Sequence, residues 1–409
     1  MSEVTAALRD RLSSRYRRLQ RWLVDEAYPL WMRRGFDAAT GGFEERLGHD
    51  GAALPDARRA RVQPRQIYSF SMAPRLGFRD DVEPIVTSAF DYLLARYRRD
   101  DGLYRTLVDR TGAPLDDRPF LYDQAFVLLA CAAAGQTFPR LRSRAVDAAR
   151  DLRSRIQSRL RGARGFHNGD PSTLPLQSNP HMHVFEACQA WMSSNDDEEW
   201  RNLADEIGGL ALERFIDANG ALREFFDAEW RPASSPDGRI VEPGHQFEWA
   251  WLLLRWDPKD ARGGRTAATR LIEIGEAHGV RNGVAINALL DDFSVKDDVA
   301  RLWPQTERLK AAALSAAMSG EQRHFEHAAD AAEGLMTYFE MPTRGLWRDR
   351  RKPDGTFIDE PSPASSFYHI VAGAIEFGEL VGGTGGTGRT GETGRTGETG
   401  RTGGLSEKQ

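Results

Sequence analysis

Arg65, Asp123, His183, His245 with Glu248, Trp303 with Glu307, and His369 are residue types that can hold a polar ligand, and they recur at one register. Each group begins 18 to 25 positions after one of six glycines, Gly42, Gly102, Gly165, Gly220, Gly283 and Gly345. A single histidine at a helix start is more often a cap or a surface residue. Three in one register, beside an arginine and two glutamates, make a site whose imidazoles gain and lose protons near neutrality.

The glycines that set this register are the signature of the elements that position it. Each precedes a large apolar residue, and successive intervals are 60, 63, 55, 63 and 62 residues. A fixed period means one supersecondary unit repeated, and a unit unable to bury its apolar face alone must stack on its neighbours. Pro84 to Arg99 has helical apolar spacing, and Leu121 to Ala134 is apolar enough for a buried helix, so each unit is a helix pair. The glycine is expected between the two helices, where positive φ ends one and lets the chain return. Stretches such as Leu103–Gly112 and Leu346–Gly355 also read as short hairpins. Six helical hairpins suit an (α/α)6 toroid over residues 1–380. With the second helices as the inner layer, their starts meet at one mouth. Helix N-termini aimed there would favour an anionic intermediate.

Composition bounds the rest. The 409 residues carry a net charge of −5, which argues against a general nucleic-acid binder. Cys131 and Cys188 fall in apolar helical segments and give no disulfide framework. No stretch is long and apolar enough to span a bilayer, and the N-terminal arginines from Arg9 to Arg21 lack the apolar core of a signal peptide. These features predict a cytoplasmic protein with no membrane partner, and leave a homodimer open. The arginines read as the solvated face of the first outer helix. Residues 381–409 are Gly/Thr-rich, and such composition predicts a disordered tail apart from the fold.

Other candidates divide. His49, His278, His324 and His327 fall outside the register and are expected to be ordinary; His167 lies in a connection, and His181 should point away from His183. Most of the ten tryptophans should pack helices. Trp303 and Trp347 fall at the mouth by register and could stack on a sugar ring; for Trp347 a core position fits equally well. Neither His181-x-His183 nor His324-x-x-His327 sits in a zinc-type arrangement, and no phosphate-binding or dinucleotide loop is present, so no metal and no cofactor are expected.

Arg65-Gln-Ile-Tyr-Ser-Phe-Ser71, His183-Val-Phe-Glu-Ala187, Pro243-Gly-His-Gln-Phe-Glu-Trp249, Trp303-Pro-Gln-Thr-Glu307 and Tyr368-His-Ile370 resemble the motifs of the N-acylglucosamine 2-epimerase superfamily. The resemblance spans about Trp22 to Leu380 and implies an (α/α)6 barrel. It also implies removal of the C2 hydrogen of an open-chain aldose to give a cis-enediolate, with proton return to C2 giving an epimer and to C1 a ketose. On that resemblance His245 and His369 are the acid/base pair and Arg65 stabilises the enediolate. His183 and Glu248 would hold hydroxyls or assist ring opening, and Glu307 would orient hydroxyls or a catalytic histidine. Glu248-Trp249 is more similar to the mannose and sulfosugar isomerases than to the epimerases. Arg65 as the one assigned cation points to a neutral sugar such as mannose. A sugar 2-epimerase is the alternative. A glycoside hydrolase recruiting Asp123 with Glu248 or Glu307, and a non-catalytic binding toroid, are the readings from other classes.

Overall fold

The computed structural model describes residues 4–193 and 197–384. Helices α1 (Ala6–Trp22), α3 (Glu83–Arg96), α5 (Arg142–Arg159), α7 (Glu198–Leu210), α9 (Gly264–Gly279) and α11 (Gln322–Met336) form an outer layer. Between them in sequence lie α2 (Val62–Met72), α4 (Leu121–Thr137), α6 (Ser178–Met192), α8 (Pro243–Trp256), α10 (Leu302–Ser319) and α12 (Phe367–Thr384). These six pack successively side by side, and α12 closes the ring on α2. The fold is the (α/α)6 toroid.

Burial explains the layering. α4 is buried from Leu121 to Gly135 apart from Tyr122, as a helix covered on all sides must be. α7 buries Trp200, Leu203, Ala204 and Ile207 and leaves its opposite face wet. The arginines of α1 are exposed or half-exposed as expected, yet three of them also pair with a neighbour: Arg11 with Asp330, Arg15, whose Nε donates to Glu333 at 2.7 Å, and Arg18 with Glu340 at 3.8 Å. Cys131 and Cys188 are buried free thiols. The Gly/Thr-rich segment predicted as a tail lies outside the described residues from 385 onward, and α12 runs four residues past the expected end of the fold.

The repeat glycines sit in the outer-to-inner connections, most of them as turn residues of small antiparallel pairs and Gly345 (φ 86°) in a turn with no strand pair around it, rather than as helix caps. Gly102 (φ 85°) turns the chain between Arg98 and Tyr104, and Gly220 (φ 81°) does so between Ile216 and Leu222. In the first unit the positive φ falls on Gly41, leaving Gly42 in the strand. A second device recurs beside them. Gln63, Gln124, Gln246 and Gln305, at the starts of inner helices, each accept the backbone N–H of Phe43, Tyr104, Leu222 and Ala285 at 2.7–2.8 Å. In the third unit His181 Nε2 accepts from Phe166 at 2.9 Å, and in the sixth Ser362 Oγ accepts from Trp347 at 3.1 Å. Five hairpins are thereby clamped to the helix that follows, and the sixth is clamped to Ser362 in the strand just before Phe367. The clamp fixes the starts of all six inner helices at one end of the ring.

Candidate active site

At that end lies a cavity of about 270 Å³, lined by Arg65, His183, His245, Glu248, Trp303 and His369 among others. The local sequence explains the convergence. In Gly244-His245-Gln246-Phe247-Glu248, positions 245 and 248 lie one turn apart and face the cavity, Gln246 clamps Leu222, and Phe247 packs outward against Gly275 of α9. Gly244 is small by necessity: a Cβ there would lie 2.4 Å from the Trp303 ring. That close approach sets Trp303 between the two histidines, 4.9 Å from His245 and 5.8 Å from His369 between ring centroids.

The two imidazoles face different partners. His245 Nδ1 lies 3.0 Å from Glu224 and 3.5 Å from Glu242. Burial pulls its pKa down, but these two carboxylates outweigh it and push the imidazole up to about 10. His245 is therefore an imidazolium at neutral pH. His369 Nδ1 is 2.8 Å from Glu307 Oε1. Burial first, then the positive charges of Arg65 and Lys310, hold His369 well below the ordinary histidine value. It is neutral, and an ionised Glu307 accepting from Nδ1–H leaves the Nε2 lone pair free.

Arg65 is fixed on several sides. Its guanidinium lies 4.1 Å from the Phe126 ring centroid and 5.5 Å from that of Tyr368. It donates to the Ser365 carbonyl at 3.2 Å and to the Tyr122 hydroxyl at 2.5 Å. His183 packs on Phe126 and lies 3.3 Å from Glu186 through Nδ1; burial lowers it to about 4. Glu248 is buried, and neither carboxyl oxygen takes a hydrogen bond among the described residues. Burial, reinforced by Glu307, raises its pKa well above the usual range, which favours the protonated form on the cavity wall.

Three expected site residues lie elsewhere. Glu307 is fully buried behind His369, where it can orient the imidazole but not reach a hydroxyl in the cavity. Asp123 is also fully buried; it accepts from Thr106 at 2.5 Å and lies 3.2 Å from Arg61, so it positions that arginine instead of meeting a ligand. Trp347 stacks on Trp31 at 4.7 Å in the core, because its register is that of the clamped hairpin residue, not of the helix start. His181 points away from the cavity, as its spacing from His183 predicts.

Other wall residues went unread in the sequence: Arg59, Arg61, Tyr122, Glu242 and Arg301. Glu242 carries a legible signal, since it stands three positions before His245. Arg59 and Arg301 precede their helices and are brought in by hairpins. Two triads, His183/Glu186/Glu248 and Glu248/Glu307/His369, place ligand-type atoms within 4.8 Å of one another, a convergence from separate helices that short histidine spacings could not reveal.

The family model described as N-acylglucosamine 2-epimerase (GlcNAc 2-epimerase) matches residues 41–373. The chain is 47% identical to a mannose-6-phosphate isomerase of Rhizobium meliloti (strain 1021), over 87% of this chain and 94% of that protein. In structure it is similar to cellobiose 2-epimerase from Spirochaeta thermophila DSM 6192, with a TM-score of 0.82 and 20% identity over 93% of this chain and 99% of that one. A D-mannose isomerase gives a TM-score of 0.79 at 20% identity, over 87% and 96% of the two chains. The likeness to these two structures shows the fold. The family match and the 47% relative show more: the chain belongs to the N-acylglucosamine 2-epimerase family and is a carbohydrate isomerase or epimerase.

Proposed function

We propose that the protein interconverts an aldose and a ketose of the mannose/fructose type. The observation that carries this reading is the difference in charge between the two cavity histidines, His245 cationic beside its two carboxylates and His369 neutral. An epimerase needs two groups that alternate as base and acid on opposite faces of C2. An isomerase needs one neutral base to move a proton between C2 and C1, with an acid at the oxygens. His369 suits the first task and His245 the second.

His369 Nε2 takes the C2 proton while the C1=C2 bond forms, and O1 takes a proton from His245. The Arg65 guanidinium faces the charge developing on the enediolate oxygens. O2–H then returns its proton to His245 as C2=O forms, and His369 delivers the carbon-bound proton to C1. Protonated Glu248 and neutral His183 can hold hydroxyls, and Trp303 offers a flat apolar face to the sugar ring.

The sugar is a mannose-type hexose. Neutrality was expected because Arg65 stood alone, and Arg59, Arg61 and Arg301 change that premise. Their side chains are 42%, 31% and 41% exposed, and each already faces a carboxylate, Glu45 at 2.7 Å, Asp123 at 3.2 Å and Asp349 at 3.1 Å. Those pairings favour the unphosphorylated hexose. The three arginines, with the relative named for mannose 6-phosphate, support a second reading in which C6 carries a phosphate ester.

Mannose deuterated at C2 tests the reaction in ordinary water. Fructose with part of the label at C1 supports a single base; an aldose inverted at C2, with the label washed out, supports an epimerase. The ratio of kcat/KM for mannose and mannose 6-phosphate decides between the two sugars.

A further inference from the structure

Below His369 the chain holds a cation that no step of the proposed reaction employs. Lys310 is fully buried, one helical turn after Glu307, and its Nζ lies 2.6 Å from Glu307 Oε2. The same ammonium sits 3.8 Å from the centre of the Trp251 ring. Glu307 thus faces Lys310 at Oε2, and at Oε1 both His369 Nδ1 at 2.8 Å and the Thr306 hydroxyl, which donates at 3.2 Å. Glu248 and Glu186 are the other acidic side chains that face Lys310.

As an acid, Glu307 would have an O–H to donate, and His369 would satisfy it by accepting at Nδ1. Nε2 would then carry the hydrogen and have no lone pair for substrate. The Lys310 ammonium, which can only donate, lies 2.6 Å from Oε2 and favours Glu307 meeting both partners as an acceptor. The carboxylate in turn takes the Nδ1 hydrogen and leaves Nε2 basic. The triads around Glu248 also look like places for a divalent ion, but Glu307 already holds a positive charge at its second oxygen.

We propose that Lys310 is a positioning residue and the resident cation of this cluster, acting through Glu307 to keep His369 in the tautomer that can remove the C2 proton. This rests on the reading of His369 as the base. The general case for such outer partners is that they orient the group they touch, and their loss costs about tenfold to a hundredfold in activity.

Lys310→Met, similar in length and uncharged, is the first test on the full chain, read by kcat, KM and melting temperature with mannose as substrate. The expected result is a kcat lowered on the order of tenfold to a hundredfold with KM within about twofold of wild type. A kcat within threefold of wild type in a folded variant overturns the proposal, as does a KM that rises in step with any loss in kcat.

Removing one partner of a buried ion pair can prevent folding. The double variant Lys310→Met/Glu307→Gln removes both charges of the pair and keeps the packing. It should fold and stay slow; recovery to near wild-type turnover would show the ion pair dispensable. Chelation of the wild-type enzyme should leave its rate unchanged, whereas loss restored by one divalent ion would make that ion, not Lys310, the cation of the cluster. His369→Asn separates the two claims. If it remains active, the reading of the base is wrong and this inference falls with it. If it is inactive while Lys310→Met turns over normally, only the role of Lys310 fails.

Discussion

His245 and His369 occupy equivalent places on α8 and α12, yet their charges differ because Glu224 and Glu242 flank one, while the positive charges of Arg65 and Lys310 face the other. His369→Asn is expected to lower turnover by about a hundredfold or more, in the range of general acid-base catalysis, with little change in melting temperature. His245→Asn should lose activity comparably and also melt earlier, since it leaves buried Glu224 and half-buried Glu242 without their cation. The sign follows from linkage: His245 is raised from 6.5 to about 10 on folding, so its stabilisation is complete below pH 6.5 and fades as pH rises toward 10. Wild-type melting temperature should therefore fall from pH 7 to pH 10 more steeply than that of His245→Asn. Melting curves of identical slope against pH would remove the imidazolium from the scheme. The histidines, Arg65 and Glu248 were legible from register alone. Their charge states were not, because Glu224 reaches His245 from the preceding hairpin and Lys310 reaches His369 only through Glu307.

At the scale of elements, the hairpin clamp decides where each inner helix begins. Gln124 holds Tyr104 through both its N–H and its carbonyl at 2.8 Å, in a buried setting where neither backbone group has water as an alternative. Gln124→Ala should lower stability by about 1–3 kcal/mol, the penalty of an unsatisfied buried polar group, measurable as a shift in denaturation midpoint at unchanged slope. No loss would mean that the hairpin pairs hold without it. Trp347 tests the same register from the other side. Trp347→Ala should lose about 3–5 kcal/mol through its contacts with Trp31 and Phe367 while leaving KM unchanged in the surviving folded enzyme. A raised KM at full stability would return Trp347 to the mouth. The glycine beat and the helix pairs could be read from sequence because apolar period and turn residues are local signals. The clamp was hidden because glutamine reads as an unremarkable polar residue, and because histidine and serine replace it in two units.

Across the whole molecule the site depends on closure of the ring. Arg65 on α2 donates to the Ser365 carbonyl, and Gln66 donates to the Ala364 carbonyl at 2.7 Å, so the first inner helix is tied to the start of the last one. An open array of repeats can lose a terminal unit and keep the others, because each contacts only its neighbours. Here α12 packs on α1, α2 and α10 at once, and no unit is terminal. The molecule should therefore unfold in one step, with transitions by circular dichroism and tryptophan fluorescence that coincide. Phe377, fully buried on α12 and 5.9 Å from Tyr16 of α1, reports on that closure. Phe377→Ala should remove about 3–5 kcal/mol, and both probes should shift together to the same lower midpoint. Activity should follow the same curve, because separating α12 from α2 carries His369 and the carbonyl that fixes Arg65 away from the cavity. Two separate transitions, with activity lost in the first and most helix retained until the second, would mean that the units of the ring are stable without closure.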